Sequence, residues 1–95
     1  MNLRREFLLY CPTYNGYWYA VRNKKSFVKP TLTDKGFVVD FYTPYTLDGV
    51  MKKGVELGKQ GYNLEVHHIS NCMEIPELTK ELNERIRKNL NYLDF

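Results

Sequence analysis

The stretch FLLYCPTYNGYWYAV, residues 7–21, carries the strongest fold signal in this chain of 95 residues. Two runs rich in apolar and aromatic residues flank the dipeptide Asn15-Gly16. Asn-Gly is the pair most typical of a tight β-hairpin, because a two-residue turn of this type needs two successive residues with positive φ. The pattern therefore predicts a strand over residues 5–14 and a partner strand over residues 17–23.

The expected register of this hairpin distributes its side chains over the two faces of a sheet. A two-residue loop would place Tyr14 opposite Tyr17, and the side chains of a strand alternate between the faces. The predicted core face carries Phe7, Leu9, Cys11, Trp18 and Ala20, and later strands are expected to add Phe37, Val39, Phe41, Leu64 and Val66 to the same core. The predicted outer face displays Tyr10, Tyr14, Tyr17, Tyr19 and Val21, with Val38 and Tyr42 of a later strand as further candidates. A slip of one residue would exchange the two faces, so this prediction depends on the register.

Signals for strands and a helix continue beyond the hairpin. Residues 26–33 are a weaker strand candidate because Pro30 interrupts them. Residues 36–43 (GFVVDFYT) predict a strand, since β-branched and aromatic residues dominate them. Thr46 has the side chain of a helix N-cap, and Gly61 is a typical terminator of the helix that follows.

A further strand and a second helix are predicted after the first helix. Residues 62–69 (YNLEVHHI) predict the strand, and Pro76 suits the first position of a helix. The apolar stripe expected on the second helix consists of Ile75, Leu78, Leu82, Ile86, Asn89 and Leu93. In the first helix, Gly54 and Gly58 lie on the apolar stripe, and we interpret them as allowing close contact with the sheet.

The predicted order of elements is β-β-(β)-β-α-β-α. Early strands and late helices favour an α+β fold, with a largely antiparallel sheet of four or five strands and both helices on one face. A length of 95 residues predicts a single domain over residues 1–95.

The charge of the chain is unevenly distributed along its length. Residues 1–35 carry seven Lys or Arg and two Asp or Glu, a net charge of +5, whereas residues 36–95 carry seven and nine, a net charge of −2. A basic half can steer an anionic partner, or it can simply solvate the surface. Aromatic residues make up 15% of the chain, and eight of them are tyrosines, which suit binding surfaces.

Cysteine usage and the apolar runs favour a cytoplasmic protein. The N-terminal apolar run Phe7–Cys11 is too short for the core of a signal peptide or for a membrane span. Cys11 and Cys72 lie far apart and form no Cys-x-x-Cys motif. Two reduced thiols are therefore expected, and no membrane association is predicted.

No motif for catalysis, metal binding or cofactor binding is recognised. His67 and His68 are consecutive strand residues, so they point to opposite faces and do not form a chelate. The expectation is that His68 lies in the core and His67 on the surface. Cys72 as a nucleophile with His68 as its base, and Asp40 with Glu65 as a carboxylate pair, are weaker hypotheses than structural or surface roles. The sequence favours a protein that is not an enzyme and that needs no metal or cofactor.

Three interpretations of the tyrosine-rich face stay open. The leading one is a small binding or regulatory protein that uses this face on a protein partner or on a second copy of itself. The alternative is single-stranded nucleic-acid binding by the same aromatics and the basic N-terminal half, although no RNP-like signature is present. Packing of the face by the chain's own loops is the third. The candidate binding residues are Tyr10, Tyr14, Tyr17, Tyr19, Tyr42, Arg22, Lys24 and Lys25.

Two segments carry a resemblance to a known class of protein. The hairpin FLLYCPTYNGYWYAV and the later TLDGVMKKGVELG resemble the hairpin and helix of small antitoxin-like α+β domains. Additional strands precede the helix in this chain and depart from that pattern, so no functional residues are carried over. Small size, a basic half and the lack of catalytic motifs are also compatible with a phage-encoded inhibitor of a host system.

Overall fold

The computed structural model describes residues 4–29, 31–34, 36–38 and 42–93, and these residues contain seven strands and two helices. For residues 31–33, 36–38 and 90–93 only the backbone is described. In chain order the elements are β1 (Phe7–Cys11), β2 (Gly16–Val21), β3 (Lys24–Val28), β4 (Thr31–Thr33), β5 (Gly36–Val38), α1 (Leu47–Lys59), β6 (Glu65–His68), β7 (Met73–Glu74) and α2 (Pro76–Leu93).

Five of the strands form one antiparallel sheet in the order β3-β2-β1-β6-β7. The strands β4 and β5 pair with each other as a separate two-stranded sheet. The α+β fold predicted from the sequence is confirmed, including the largely antiparallel sheet. The strand β3 forms one edge of the five-stranded sheet, and the short strand β7 forms the other.

Both helices pack on one face of the five-stranded sheet, which we call the inner face. Strand side chains that alternate onto this face meet apolar side chains of α1 and α2, because burial of apolar surface is the main force that joins a helix to a sheet. The buried residues of this core are Phe7, Leu9, Cys11, Trp18, Val50, Met51, Leu57, Leu64, Val66 and Leu82. The opposite side of the sheet is called the outer face.

The turn between β1 and β2 has four residues instead of two. Cys11 pairs with Gly16, and the backbone N–H of Asn15 donates to the carbonyl of Pro12 over 3.1 Å. Asn15 alone takes a positive φ, of 49°. This bond from residue i+3 back to residue i closes a β-turn over residues 12–15, and four-residue hairpin loops are most often built around such a turn. The predicted two-residue Asn-Gly loop is therefore wrong.

The correct register changes the partners of the tyrosines but keeps their face. Tyr10 lies opposite Tyr17, instead of Tyr14 opposite Tyr17 as predicted. The shift is four positions, an even number, and side chains alternate with a period of two. Tyr10, Tyr17 and Tyr19 consequently share the outer face as expected, whereas Tyr14 lies in the turn.

Gly16 allows β3 to approach the hairpin closely. A Cβ atom built at Gly16 would lie 3.0 Å from the backbone carbonyl carbon of Phe27 and 3.1 Å from the backbone nitrogen of Val28. Its backbone does not require positive φ, so the glycine of the Asn-Gly pair is needed for space and the asparagine for the turn.

Residues 43–45 connect β1 and β2 beyond the point where these strands pair directly. The backbone N–H of Thr43 donates to the carbonyl of Trp18 over 2.9 Å, and Tyr45 exchanges two backbone hydrogen bonds with Phe7, of 2.8 and 3.0 Å. The segment leads directly into α1, where the hydroxyl of Thr46 accepts from the backbone N–H of Gly49, as expected for an N-cap.

The glycines of α1 face the second helix and not the sheet. A Cβ atom at Gly54 would lie 2.6 Å from Cδ1 of Leu82, and one at Gly58 would meet the side chain of Ile86. The interpretation that these glycines allow contact with the sheet is wrong. They let α1 and α2 approach each other at the two positions where α2 inserts its branched side chains.

Parts of the predicted fourth strand lie outside the described residues. Its first three positions form β5, which pairs with β4. Val39 and Phe41, expected in the core, and Asp40, considered as a carboxylate candidate, are not among the described residues.

Candidate functional site

The centre of the outer face is buried. Leu8 is 1% exposed, Tyr17 is 3% exposed and His67 is 7% exposed. The prediction that Tyr17 is displayed to solvent is therefore wrong. The prediction that His68 is the core histidine and His67 the surface one is also wrong, because His68 is only half-buried.

A hydrogen-bonded cluster, the His67 network, explains this burial. It consists of Tyr17, Glu65, His67 and Cys72. The hydroxyl oxygen of Tyr17 lies 2.8 Å from Nδ1 of His67 and 3.0 Å from the backbone carbonyl oxygen of Cys72. Nε2 of His67 lies 2.9 Å from a carboxylate oxygen of Glu65. A polar ring is tolerated at a buried position when its nitrogens have partners.

An aromatic ring packs against the His67 network, and burial of the network affects the pKa values of two tyrosines. The ring of Tyr10 stacks on His67 with centroids 4.6 Å apart. Burial, reinforced by the nearby Cys72 thiol, raises the pKa of the Tyr17 hydroxyl well above its usual range. Burial also raises the pKa of Tyr10, and the carboxylate of Glu65 acts in the same direction. Both tyrosines are therefore neutral hydrogen-bonding groups at neutral pH.

The His67 network ties the turn before β7 to β2. Cys72 lies at the end of that turn with a positive φ of 52°, and its backbone N–H donates to the carbonyl of His68 over 2.8 Å. The histidine that approaches Cys72 is His67, and His68 instead contacts Ser70 through Nδ1 over 2.7 Å. The Cys72 thiol lies 4.0 Å from the carbonyl oxygen of Ile69, and within the described residues it makes no hydrogen bond with His68, the candidate base. Within the described residues, no buried polar side-chain atom of the network or elsewhere lacks a partner.

An open cleft of about 500 Å³ lies on the inner side of the molecule, between β3 and α1. We call it the aromatic cleft. Its aromatic wall consists of Tyr14, Trp18, Phe27 and Tyr62. Polar side chains of Lys25, Ser26, Lys53, Glu56 and Gln60 surround it, and Leu57 contributes an apolar patch.

The aromatic wall is preorganised by contacts among its own rings. Tyr14, in the β1–β2 turn, stacks parallel to Phe27 with centroids 5.8 Å apart. Trp18 and Tyr62 pack against Phe27 at tilted angles, with centroids 5.2 and 5.1 Å away. The indole N–H of Trp18 donates to the hydroxyl of Tyr45 over 3.0 Å, which fixes the indole. Interlocked rings of this kind hold their positions at little further entropic cost.

Tyr14 is the most accessible member of this wall. It is 52% exposed and lies on the inner side, so the prediction that it joins Tyr17 on the outer face is wrong. Phe27, Tyr62 and Lys53 were not identified from the sequence. Phe27 lies directly opposite Trp18 in the β2–β3 ladder, and Tyr62 follows the helix-terminating Gly61. The correct register would have indicated Phe27 from the sequence. Tyr62 and Lys53 reach the cleft only through the packing of α1.

Cations gather on the β2–β3 hairpin next to the cleft. Arg22 lies in its two-residue turn with a positive φ of 55°, and Lys24 and Lys25 are exposed. Residues 20–33 contain four Lys or Arg and no Asp or Glu. The carboxylate of Glu56 in the cleft is already paired with Lys53, whose Nζ lies 3.0 Å away. The cleft and its hairpin therefore present a net positive surface.

The predicted site residues lie in separate regions of the structure. Tyr17 belongs to the His67 network and Tyr10 stacks on it, whereas Tyr14 and Lys25 line the aromatic cleft. Tyr19 and Lys24 line a shallow depression on the outer side of β3. Tyr42 is half-buried next to Thr43. The structure thus does not assemble the predicted tyrosines into one exposed face.

The fold and the cleft define an α+β protein with a five-stranded antiparallel sheet, two helices on its inner face and an aromatic cleft at one edge. Comparisons with protein-family models, with curated proteins and with solved structures find no match. Across residues 4–29, 31–34, 36–38 and 42–93, no helix is both long and apolar enough to cross a membrane. In the same residues, no three His, Cys, Asp or Glu side chains are grouped so that they could hold a metal ion.

Proposed function

We propose that this chain is a binding protein without enzymatic activity, which docks on a protein partner through its β2–β3 hairpin and the aromatic cleft. The observation that carries this proposal is the aromatic wall, in which a half-exposed Tyr14 is held in place by Phe27. Exposed aromatic side chains in a rigid setting are the usual anchors of protein interfaces.

The dimensions of the cleft support this proposal. A cleft of about 500 Å³ lies within the size range of small-molecule sites, so it has room for one large side chain of a partner. Its wall is aromatic and can bury an apolar side chain of the partner. Its rim carries Lys25 and Lys53, which can orient the partner through polar contacts. Preformed rings lose little freedom on binding, which leaves more of the contact energy for affinity.

Single-stranded nucleic acid is the second candidate, because aromatic rings and cations also lie together here. Bases stack on exposed faces of aromatic rings. In the cleft, one face of Tyr14 is covered by Phe27, and Tyr17 on the outer face is buried. The rings that remain available are few for a stacking platform, so a protein partner is favoured.

The proposal is tested with a displayed library of random linear peptides and with a random single-stranded oligonucleotide. We expect the protein to enrich peptides, and we expect Tyr14→Ser to abolish this enrichment, because the anchor ring is lost. Met73→Ser is the matched control, since Met73 is a 64% exposed apolar residue at the opposite edge of the sheet.

Two outcomes would contradict the proposal. Peptide enrichment that survives Tyr14→Ser would remove the cleft from the binding surface. Binding of the oligonucleotide alone, lost in Tyr14→Ser and kept in Met73→Ser, would assign the cleft to nucleic acid. Circular dichroism of each variant checks that the fold is retained.

A further inference from the structure

We infer that the partner segment is an extended, acidic strand that pairs with the free edge of β3 and inserts one large apolar side chain into the aromatic cleft. This inference rests on the proposed function and specifies how the partner binds. Three features of the edge support it, namely the hydrogen-bonding pattern of β3, the position of the cleft and the charges of the lysines.

The ladder between β2 and β3 determines which backbone groups of β3 point outward. Val21 pairs with Lys24 directly beside the two-residue turn, so these two residues exchange hydrogen bonds. Hydrogen-bonded and non-hydrogen-bonded pairs alternate along an antiparallel ladder. The N–H and C=O groups of Lys25 and Phe27 therefore point away from β2, toward the free edge.

Hydrogen bonds on the other side of β2 agree with this assignment. The carbonyl of Trp18 and the backbone N–H of Ala20 both bond to Thr43, which lies on the β1 side. The intervening residues of β2 must then direct their backbone groups to β3. Among the described residues, β2 is the only strand that pairs with β3. Lys25 and Phe27 thus present unpaired strand positions at a sheet edge.

The aromatic cleft lies where the side chains of an added strand would point. Lys25 and Phe27 carry their side chains on the inner side, where both line the cleft. A strand added at about 4.8 Å places its directly opposed residues on the same face. One such residue would enter the space between Phe27 and α1, beside Tyr14 and Leu57. Main-chain pairing supplies affinity in this mode, and the pocket supplies specificity.

Charge decides the chemistry of the added strand. Lys24, Lys25 and Lys29 accompany the edge, and they disfavour pairing with a second copy because that copy would add three more lysines to an already positive edge. Asp or Glu residues on the incoming segment would complement them. The one carboxylate of the cleft, Glu56, is neutralised by Lys53. An acidic segment of another protein therefore fits this edge better than a second copy.

The experiment uses peptides enriched by the full chain from the random library. We expect sequences with alternating apolar positions, at least one large apolar residue and several Asp or Glu. N-methylation of the peptide amides that face β3 should weaken binding at least about tenfold, whereas N-methylation of the intervening amides should have little effect. Amide hydrogen exchange of Lys25 and Phe27 should slow on binding.

Substitutions in β3 test the same geometry by changing the protein instead of the peptide. Lys25→Pro removes an outward N–H without removing a hydrogen bond to β2, and it should abolish binding. Lys25→Glu keeps the backbone and should weaken acidic peptides but favour peptides in which Lys replaces Glu. The second variant keeps the test valid if the first does not fold.

The outcomes separate this inference from the function on which it rests. Enriched peptides that are basic or helical, or that tolerate N-methylation at every amide, would overturn the added strand while binding through Tyr14 stands. If no peptide is enriched, the proposed protein-binding function fails and the added strand fails with it. A dimer that forms through β3 in the free protein, detected by light scattering, would replace the acidic partner with a second copy.

Discussion

The hydroxyl of Tyr17 joins three parts of the sheet. Its ring belongs to β2, its oxygen contacts His67 of β6, and it also contacts the carbonyl of Cys72 in the turn before β7. A buried hydroxyl with two partners is held in its neutral form, because ionisation would place a negative charge away from water and near the Glu65 carboxylate. The residue that looked like a surface anchor is instead a structural cross-link.

The raised pKa of Tyr17 predicts a loss of stability at alkaline pH. Above the ordinary tyrosine pKa of 10.0 the unfolded chain releases the proton, whereas the native state retains it, so the unfolded state binds fewer protons. The free energy of unfolding should therefore be unaffected by this group below that pH and fall above it, by up to about 1.4 kcal/mol per pH unit for one residue. Urea titrations across this range measure the slope.

Tyr17→Phe is the control for this effect. It should flatten the alkaline slope by the contribution of one tyrosine, and Tyr10 and Tyr45, whose pKa values burial also raises, should account for part of the remainder. An unchanged slope in Tyr17→Phe would mean that the native state does not protect this hydroxyl from ionisation.

At the scale of elements, the contact between α1 and α2 depends on the missing side chain of Gly54. A Cβ atom there would lie 2.6 Å from Cδ1 and 2.8 Å from Cδ2 of Leu82, which is fully buried. Glycine inside a helix costs about 0.8–1 kcal/mol relative to alanine, so its presence needs a reason. The close approach of the two helices supplies that reason.

Gly54→Ala should consequently destabilise the protein. Overpacking a buried site costs about 1–3 kcal/mol, which outweighs the gain in helix propensity and leaves a net loss of about 1 kcal/mol. Chemical denaturation of the variant measures this loss.

A double-mutant cycle with Leu82→Ala provides the control for Gly54→Ala. In that background the space is free, so the same substitution should stabilise the protein through helix propensity. The same sign in both backgrounds would contradict the packing explanation.

At the scale of the whole molecule, the charges are separated. Residues 1–35 have a net charge of +5 and residues 36–95 a net charge of −2. The cations of the β2–β3 hairpin border the aromatic cleft, so the field at this edge is positive. Such a field accelerates encounter with an acidic partner and contributes less to the lifetime of the complex.

The association rate with acidic peptides should therefore depend on salt. Raising the ionic strength shortens the Debye length and should slow association by about 2- to 10-fold, with a smaller change in the dissociation rate. Arg22→Gln should reduce this salt dependence, whereas Arg87→Gln on α2 should not. Stopped-flow fluorescence measures both rates, and equal effects of the two variants would argue against steering by the hairpin.

The sequence alone determined the α+β class, the antiparallel hairpin, the two helices and the alternation that places Tyr10, Tyr17 and Tyr19 on one face. These features follow from local rules, since turn preference, helix capping and the period of two act between neighbours in the chain. The wrong register still kept the face of these three tyrosines, because it was shifted by an even number of residues, but it placed Tyr14 in a strand instead of in the turn.

Only the tertiary structure decided which of these side chains are exposed. Tyr17 and His67 share the outer face by alternation, but their burial depends on the carbonyl of Cys72, which the turn before β7 brings to them. The aromatic cleft likewise joins Tyr14 of the β1–β2 turn and Phe27 of β3 to Tyr62 beyond α1. Burial and hydrogen-bond partners arise between residues far apart in the chain, and local sequence preferences do not encode those distances.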